Sequence, residues 1–335
     1  MKVLLYSSNQ KLKKKSGIGR AFYHQRKALD SAGVSYTLDP KDTFDVVHIN
    51  SGSPKDIKRF KKKAPVLVHG HSTYQDFRRS FRLWRFIEPF FAKHLQNTYG
   101  IADLIVTPTK YSKYLIESMH VVKAPVLAIS NGIDLDAYKP DVNKVKAFKE
   151  RFNIKEGDKV VIGVGLLFER KGLHDFFEVA RMMPDYKFIW FGHLNKILRT
   201  HFINKAIKHR PNNAIMAGYV DGDVIKGAYQ CANVMFFPTY EETEGIVVLE
   251  AMASKTPIIT RDIPVYYDWL QDKTHVLKGN NNQEFKSLIE YVSQNDLSEM
   301  TDNAFEVVKE RTLEKVGQEL KGAYQQTIET RKIKK

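Results

Sequence analysis

The chain has 335 residues, which is long for a single hydrophobic core and suits two domains of ordinary size. Hydrophobic residues make up 43% of it and charged residues 27%, which excludes a predominantly disordered protein. The one cysteine, Cys231, allows no internal disulfide, and no run of about 18 apolar residues offers a membrane-spanning helix. The N-terminus lacks the apolar run of a secretory signal, so we expect a cytoplasmic protein whose contact with a membrane is peripheral.

The formal net charge of +15 is concentrated in the first part of the chain. Residues 1–140 contain 24 Lys and Arg against 11 Asp and Glu, whereas residues 141–335 contain 29 against 27. A field this one-sided attracts polyanions such as nucleic acid or an anionic membrane surface. The alternative is a solvated basic face that only aids solubility.

The first part alternates short apolar strands with helical or polar segments. A strand at residues 2–8 is followed by a glycine-containing loop at 16–20 and by a helix from Ala21 to Ala32. Further strands are predicted at the following residues: 44–50, 66–69, 104–107 and 126–129. This alternation is typical of a parallel sheet with helices on both faces.

Two histidines, His69 and His71, lie at the end of the strand predicted at 66–69. With one residue between them, we expect their side chains on opposite faces, so that only one faces the ligand-binding edge of the sheet. A purely structural role at the strand end is the alternative. No nearby Cys, His or carboxylate completes a set of metal ligands.

A basic and aromatic segment follows. Aromatic and apolar residues recur there at steps of 4, 3, 3 and 4, namely Phe77, Phe81, Trp84, Ile87 and Phe91. The basic residues of this region are Lys61, Lys62, Lys63, Arg78, Arg82 and Arg85. The spacing predicts one face of a helix lying in a membrane interface, which Pro89 would kink or divide in two. A core helix with solvated arginines is the alternative.

A second series of strands begins after the polar stretch 139–159. Its strands are predicted at residues 160–164, 186–191, 214–217, 234–237 and 257–260. The fold class is therefore α/β, with two consecutive doubly wound units. Ligands of such sheets bind beyond the carboxyl ends of the strands, and in a two-unit protein the facing ends form a cleft.

Two stretches of the second series carry candidate binding groups. The glycine turn Gly163-Val-Gly165 follows a strand, and Arg170-Lys171-Gly172 enters the next helix, where cations and helix amides can hold a diphosphate. Glu242 and Glu250 lie eight residues apart, the first in a loop and the second on an apolar helix. They suit a sugar hydroxyl and a ribose diol, although a pair of glutamates alone is more often a solvated acidic turn.

Asp221-Gly222-Asp223 is a rival motif, because an Asp-x-Asp pair can hold Mg²⁺ and a nucleotide diphosphate. The segment leads into a helix, and an aspartate at that position is expected to be its N-cap. We therefore predict a helix cap and treat Asp134-Leu-Asp136 in the same way.

In this order, together with Ser130-Asn-Gly-Ile-Asp134 between the units, these motifs resemble the glycosyltransferases of family four. These are retaining enzymes of GT-B architecture, with two doubly wound Rossmann-like domains facing across a cleft. The resemblance covers essentially the whole chain. The stretches HSTYQDFR and LLFERKGL look like the glycosyl-diacylglycerol synthases of Gram-positive bacteria.

The resemblance also implies what each part of the chain binds. Residues 1–140 would bind the acceptor and the membrane, residues 141–310 would bind the nucleotide sugar, and the helical segment 311–335 would pack back on the first domain. Glu242 would contact the donor sugar and Glu250 the ribose. Lys171 would hold the diphosphate.

The remaining assignments follow the same family pattern. Arg170 would replace a family arginine at the position that is Leu166 here. The resemblance also places Gly165 and Gly245 in the donor site, and Gly17 and Gly19 where phosphate or acceptor binds. It assigns His71, together with Glu242, to catalysis.

The expected activity is transfer of a hexose from UDP-glucose or UDP-galactose to a membrane glycolipid, with retention of the anomeric configuration. The favoured acceptor is a diacylglycerol that already carries one glucose, and diacylglycerol itself or another cell-envelope acceptor is the alternative. No cofactor and no metal ion are expected. A nucleic-acid-binding protein and a sugar-nucleotide epimerase are the alternative functions. No RNA-binding module is visible in the sequence, so we expect no nucleic acid partner.

Overall fold

A computed structural model describes residues 1–8 and 16–333 of the chain, and these form two compact units. The first unit comprises Met1–Phe77, Arg85–Ile133 and Arg311–Lys335, and the second comprises Arg78–Trp84 and Asp134–Glu310. The short segment 78–84 therefore belongs to the second unit, although its neighbours in sequence belong to the first.

The described residues of the first unit contain a six-stranded parallel sheet in the order β2-β1-β3-β4-β5-β6. Its strands are β1 (Lys2–Ser7), β2 (Ser35–Thr37), β3 (Val46–Ser51), β4 (Val66–His69), β5 (Leu104–Thr107) and β6 (Val126–Ala128). The helices between them are α1 (Gly17–Ser31), α2 (Pro54–Lys61), α3 (Tyr74–Phe77), α4 (Trp84–Tyr99) and α5 (Lys110–Glu117). Successive residues of β1 enter opposite cores, since Leu4 packs in one cluster while Val3 and Leu5 pack in the other.

The second unit contains a six-stranded parallel sheet in the order β12-β11-β10-β7-β8-β9. Its strands are β7 (Lys159–Val164), β8 (Tyr186–Phe191), β9 (Ala214–Gly218), β10 (Val234–Phe237), β11 (Ile258–Arg261) and β12 (Leu277–Gly279). Its helices are α6 (Val142–Phe152), α7 (Leu173–Met182), α8 (His201–Lys208), α9 (Asp223–Cys231), α10 (Ile246–Ala253), α11 (Asn282–Gln294) and α12 (Ser298–Lys309). The parallel α/β fold expected from the sequence is confirmed.

The last helix, α13 (Leu313–Ile333), belongs to the first unit and packs along α1. A Cβ at Gly317 would overlap the Ala28 carbonyl oxygen, so the glycine permits the close approach of the two helices. Leu320 and Tyr324 of α13 share one buried cluster with residues of α1 and of the sheet.

The start of the first helix and two edge strands differ from the sequence prediction. Helix α1 begins at Gly17 instead of Ala21, because the side chain of Ser16 caps it by accepting a hydrogen bond from the Gly19 amide at 3.3 Å. Gly17 and Gly19 consequently lie in the first turn of a helix and not in the preceding loop. The edge strands β2 and β12 were not predicted, since each has only three residues and little apolar pattern.

Candidate functional site

The candidate donor site lies where the strand order of the second sheet reverses. β7 and β10 are neighbours there, and their connections run to opposite sides of the sheet. The loop after β7 carries Gly165 and Lys171, and the loop after β10 carries Glu242 and Gly245. Such a switch point is the usual ligand-binding position in an open α/β sheet.

Lys171 and Glu242 form a buried ion pair in this loop region. The Lys171 ammonium contacts Glu242 Oε1, and the Thr239 hydroxyl donates a hydrogen bond to the same oxygen at 3.0 Å. The side chain of Glu242 is only 7% exposed and that of Lys171 13% exposed. The two groups that the sequence assigned to separate parts of a nucleotide sugar therefore hold each other in position.

Two glycines are required by close backbone approaches around these residues. Gly172 has φ of +74°, and a Cβ there would overlap the carbonyl oxygen of Pro238 in the loop after β10. Gly192 has φ of +151°, and a Cβ there would overlap the Gly165 carbonyl oxygen. A Cβ at Gly165 itself would make only ordinary contacts. Gly172 thus lets the loops after β7 and β10 meet.

Arg170 is buried and its guanidinium is held by the protein. Its Nε donates to the Ser80 hydroxyl at 2.9 Å, and one terminal nitrogen donates to the Glu241 carbonyl oxygen at 2.7 Å. The backbone carbonyl of Arg170 accepts from the Tyr240 amide at 2.7 Å. These contacts make Arg170 the link between the segment 78–84 and the loop after β10, next to Lys171. Its role toward a diphosphate stays a prediction.

Glu250 lies on α10 and is 4% exposed. Its Oε2 accepts a hydrogen bond from the Tyr229 hydroxyl at 2.8 Å, which fixes the carboxylate within the second unit. Gly245 precedes the helix in the left-handed region, with φ of +87°, a conformation that favours glycine. The glycine between the two glutamates thus makes the turn that starts α10.

Tyr266 adds a polar group that the sequence did not point to. Its hydroxyl is buried and has no hydrogen-bond partner in the part of the chain that the structure describes. Burial raises the pKa of Tyr266 well above its ordinary value, and the carboxylates of Glu242, Glu241 and Glu244 raise it further. The hydroxyl is therefore a protonated donor close to the loop after β10, which carries these glutamates. A tyrosine among apolar residues is typical of a core position, and no sequence signal separates it from one.

Arg261 was also missed, although it is the last residue of β11. Its guanidinium donates to Asp175 Oδ2 at 3.1 Å and to the Pro238 carbonyl oxygen at 3.3 Å. It also lies over the ring of Tyr240, with 3.9 Å from the guanidinium carbon to the ring centroid. A buried ion pair with this geometry holds the start of the Glu242 loop against α7. Its position at the carboxyl end of a strand was the available signal.

The two histidines of the first unit are stacked, with ring centroids 3.8 Å apart and 11° between the planes. The expectation that they point to opposite faces is wrong, because residues two apart in an extended chain share a face. His71 lies just beyond the end of β4, and its Nε2 is 2.8 Å from Asn50 Oδ1. Burial lowers the pKa of His69 to about 3.

The predicted Asp cap at 221–223 is wrong in detail. Gly222 occupies the N-cap position of α9, which has no side-chain cap, and Asp223 is the first helical residue. A carboxylate there interacts favourably with the helix dipole. The analogous cap by Asp134 is confirmed, because its side chain accepts from the Ala137 amide at 3.4 Å. Within residues 1–8 and 16–333, no group of three or more His, Cys, Asp or Glu is arranged to hold a metal ion.

The aromatic and basic segment does not form the continuous helix that its spacing predicted. Helix α3 ends at Phe77 and α4 begins at Trp84, while Arg79 and Leu83 between them have φ of 56° and 61°. Backbone contacts within the second unit, to which residues 78–84 belong, override the periodicity, since the Arg82 amide donates to the Leu198 carbonyl at 2.9 Å. Pro89 lies inside α4 and does not begin a second helix.

The predicted apolar face is partly turned inward. Phe77 stacks on Phe91 with ring centroids 4.1 Å apart, and Phe81 packs edge-on against Phe168 at 4.9 Å. Between Phe77 and Phe91, the large apolar side chains that are exposed are Leu83 (61%), Phe86 (75%), Ile87 (44%) and Phe90 (76%). We call these four residues the exposed apolar face.

The basic residues around this face differ in their surroundings. Lys61 is ion-paired with Asp103 at 2.7 Å and also donates to the Ile101 carbonyl at 2.8 Å, so it is less available to a surface partner than the sequence indicated. The exposed basic residues of the predicted set are Lys62, Lys63, Arg78, Arg82 and Arg85. No helix in the described part of the chain is both long and apolar enough to cross a membrane.

Comparison with known families and proteins agrees with this geometry. A family model described as "Glycosyl transferases group 1" matches residues 144–307, and one described as "Glycosyltransferase Family 4" matches residues 16–137. A processive diacylglycerol alpha-glucosyltransferase of Acholeplasma laidlawii is 64% identical over 332 residues, which are 99% of this chain and 100% of that protein. An alpha-galactosylglucosyldiacylglycerol synthase of Streptococcus pneumoniae is 24% identical over 64% of this chain and 61% of its own length.

Solved structures with the same fold include HepE of Anabaena in complex with UDP and glucose, with a TM-score of 0.75 and 15% identity. That match covers 96% of this chain and 99% of HepE. WaaG, a glycosyltransferase involved in lipopolysaccharide biosynthesis, matches with a TM-score of 0.70 and 14% identity over 97% of this chain and 99% of its own. These likenesses establish the GT-B architecture. From the two family models and the 64% identical glucosyltransferase, we conclude that the chain belongs to glycosyltransferase family four and is a glycosyltransferase.

Proposed function

We propose that the chain transfers glucose from UDP-glucose to a glycolipid at the cytoplasmic face of the membrane. The acceptor that we favour is a diacylglycerol carrying one glucose, which would give a diglucosyl-diacylglycerol. The observation that carries the proposal is the 64% identity, over 99% of this chain, to a processive diacylglycerol alpha-glucosyltransferase. Galactose as the donor sugar and diacylglycerol itself as the acceptor are the alternatives that the assay below separates.

The geometry of the second unit supports a nucleotide-sugar donor. Lys171 would neutralise the diphosphate that departs with the nucleotide, and Glu242 would accept hydrogen bonds from the hexose hydroxyls. Glu250 would accept from the ribose diol. Because Lys171 and Glu242 already hold each other, little reorganisation is needed when the donor binds.

The proposal is tested by incubating the protein with radiolabelled UDP-glucose or UDP-galactose and separating the lipid products. Diacylglycerol and monoglucosyl-diacylglycerol are presented in separate vesicles, with phosphatidylglycerol vesicles without acceptor as the blank. We expect label from UDP-glucose in a diglucosyl lipid and little from UDP-galactose. Label in water-soluble sugar only, with every acceptor and both donors, would overturn the proposal.

We also propose that transfer needs no metal ion. The helices α7 and α10 both start beside the Lys171–Glu242 pair, and neither N-terminus is capped by a side chain. Their first-turn amides and Lys171 can therefore supply the positive charge that a metal would supply in other transferases.

We expect EDTA to leave the rate of glucosyl transfer within about two-fold of the untreated rate, because protein groups provide the charge stabilisation. The measurement is the initial rate with and without chelator, using Asp223→Asn as a companion variant. Loss of transfer that Mg²⁺ or Mn²⁺ restores, together with an inactive Asp223→Asn, would show that Asp221 and Asp223 bind a metal.

An anionic membrane surface is the proposed partner of the first part of the chain. Phe86, Ile87 and Phe90 of the exposed apolar face lie on α4 with the exposed Arg85, and this is the composition of an interfacial helix. This arrangement supports a peripheral position on the membrane, where the lipid acceptor is found.

A further inference from the structure

A chain of buried polar side chains connects the C-terminal helix with His71 in the first unit. Its members come from α1, β3, β4, the segment after β4, and α13, and they are Gln25, His48, Asn50, His69, His71 and Tyr324. Five of the six are less than one tenth exposed, and His71 is half-buried. A buried polar network of this size is unusual in the core of an α/β unit and calls for a functional account.

The hydrogen-bond directions in this network follow from the placement of the two amide groups. Asn50 Nδ2 donates to Gln25 Oε1 at 2.7 Å, and Gln25 Nε2 donates to His69 Nδ1 at 2.7 Å. Asn50 presents its remaining atom, Oδ1, to His71 Nε2 at 2.8 Å. An amide oxygen can only accept, so the proton of His71 is on Nε2.

The other branch of the network is consistent with these directions. His69 Nδ1 has one lone pair, which the Gln25 amide at 2.7 Å shares with the protonated His48 Nε2 at 3.2 Å. His48 Nδ1 is then the acceptor for the Tyr324 hydroxyl at 2.8 Å. One set of neutral tautomers accounts for each contact from Tyr324 to His71, and it places the His69 proton on Nε2, which is buried with no hydrogen-bond partner among the described residues.

We propose that this network positions His71 for catalysis by holding its ring in one orientation and in the Nε2-protonated neutral form. The inference rests on the proposed function, in which His71 meets the reacting sugars. With its Nε2 proton bound to Asn50, the ring has Nδ1 as its acceptor nitrogen. Asn50 is the positioning residue, because its Oδ1 contacts the His71 ring at 2.8 Å while its Nδ2 is anchored on Gln25 at 2.7 Å.

The neighbouring rings support this arrangement. His69 stacks on His71 at 3.8 Å and His48 stacks on His69 at 5.4 Å. Burial lowers the pKa of His48 well below its ordinary value and that of His69 to about 3, so both rings stay neutral at physiological pH. A neutral stack adds no charge that would compete with the hydrogen bond between His71 and Asn50.

The test combines NMR with steady-state kinetics on the full chain. Long-range ¹H–¹⁵N spectra distinguish histidine tautomers, and the His71 signal is identified by its absence in His71→Ala. Asn50→Leu removes the acceptor, Asn50→Asp keeps an acceptor oxygen, and Tyr6→Phe is the control, since it removes a hydrogen bond to Asp56 in the same unit. Melting temperatures show which variants fold.

We expect His71 of the wild type to be protonated at Nε2. We expect Asn50→Leu to give a mixture of tautomers and to lower kcat by about tenfold with little change in the KM for UDP-glucose, the size of effect expected for one hydrogen bond. Asn50→Asp should keep the proton on Nε2 and recover part of the rate, because its carboxylate still accepts from His71 but no longer donates to Gln25. Tyr6→Phe should change neither.

Three results would overturn the inference. A wild-type His71 protonated at Nδ1 contradicts the network directly, even if no Asn50 variant folds. An Asn50→Leu variant with unchanged kcat, beside an inactive His71→Ala, leaves His71 in the proposed function but removes Asn50 as its positioning residue. Full glucosyl transfer by His71→Ala shows instead that the catalytic role proposed for His71 fails, and the inference fails with it.

Discussion

Glu242→Gln and Lys171→Met are each expected to lower glucosyl transfer by about ten- to a hundred-fold, because each removes a charge-assisted hydrogen bond of about 1.5–3 kcal/mol to the donor. The two variants should differ in what they bind. UDP contains the diphosphate but no hexose, so Lys171→Met should weaken UDP binding while Glu242→Gln should not. Calorimetry with UDP and initial rates with UDP-glucose measure the two effects separately.

The ion pair also gives each single variant a cost in stability. Removing one partner leaves the other charge buried, which destabilises by about 3–5 kcal/mol in comparable pairs, and both side chains here are nearly inaccessible. The double variant Glu242→Gln with Lys171→Met should therefore melt at a higher temperature than either single variant and still lack transfer. A loop carboxylate that supported no packing would show neither effect.

A matched control is available in the same unit. Lys255 and Asp302 form an exposed ion pair, with side chains 52% and 58% accessible. Lys255→Met with Asp302→Asn should change neither transfer nor stability appreciably, since an exposed pair contributes at most about 1 kcal/mol. Normal transfer by Glu242→Gln would refute the donor assignment, and unchanged UDP affinity of Lys171→Met would refute the diphosphate assignment.

The sequence was informative about strands and about the order of the site loops. Ten of the strands are short apolar runs between polar segments, and this pattern depends only on local composition. The placing of Lys171 and Glu242 after neighbouring strands follows from the same pattern, because parallel strands bring their carboxyl ends to one edge. The direct contact between them does not, since 71 positions separate them in the sequence.

Two features depend on contacts between residues far apart in the sequence and could not be predicted from it. Arg170 looks like a ligand cation in the sequence, but its guanidinium is held by Ser80, 90 residues away. The aromatic spacing from Phe77 to Phe91 fits a membrane helix and a core helix equally well. In the structure no helix continues through residues 78–83, because Arg79 and Leu83 have positive φ and the Arg82 amide bonds to the Leu198 carbonyl.

This interruption of the predicted helix changes which residues should contact lipid. The periodicity pointed to Phe81 and Trp84, whereas the most exposed aromatic side chains are Phe86 and Phe90, four residues apart on one face of α4. Phe81 is already packed against Phe168. If α4 docks on the membrane, the apolar contribution should come from Phe86 and Phe90, and Phe81 should affect the fold instead.

The protein is expected to float with anionic vesicles and to be released by salt, because each Lys or Arg near an anionic surface contributes about 1 kcal/mol. Neutralising three arginines, Arg78, Arg82 and Arg85, to Gln should therefore weaken binding by more than about a hundred-fold. The control removes the same charge from exposed positions of the second unit, Lys149, Arg151 and Lys155, also to Gln. It should bind like the wild type.

Phe86→Ser with Phe90→Ser tests the apolar part of the same surface. Both side chains are about three-quarters exposed, so the substitution should leave the melting temperature unchanged while it weakens vesicle binding at every salt concentration. Burying an aromatic side chain contributes about 1.5–3 kcal/mol, which predicts a loss of at least about ten-fold for the pair. Flotation with and without phosphatidylglycerol, at low and high salt, separates this loss from the electrostatic one. If the arginine and phenylalanine variants float as the wild type does, the basic segment is a solvated surface, and the lipid acceptor must be reached by another part of the chain.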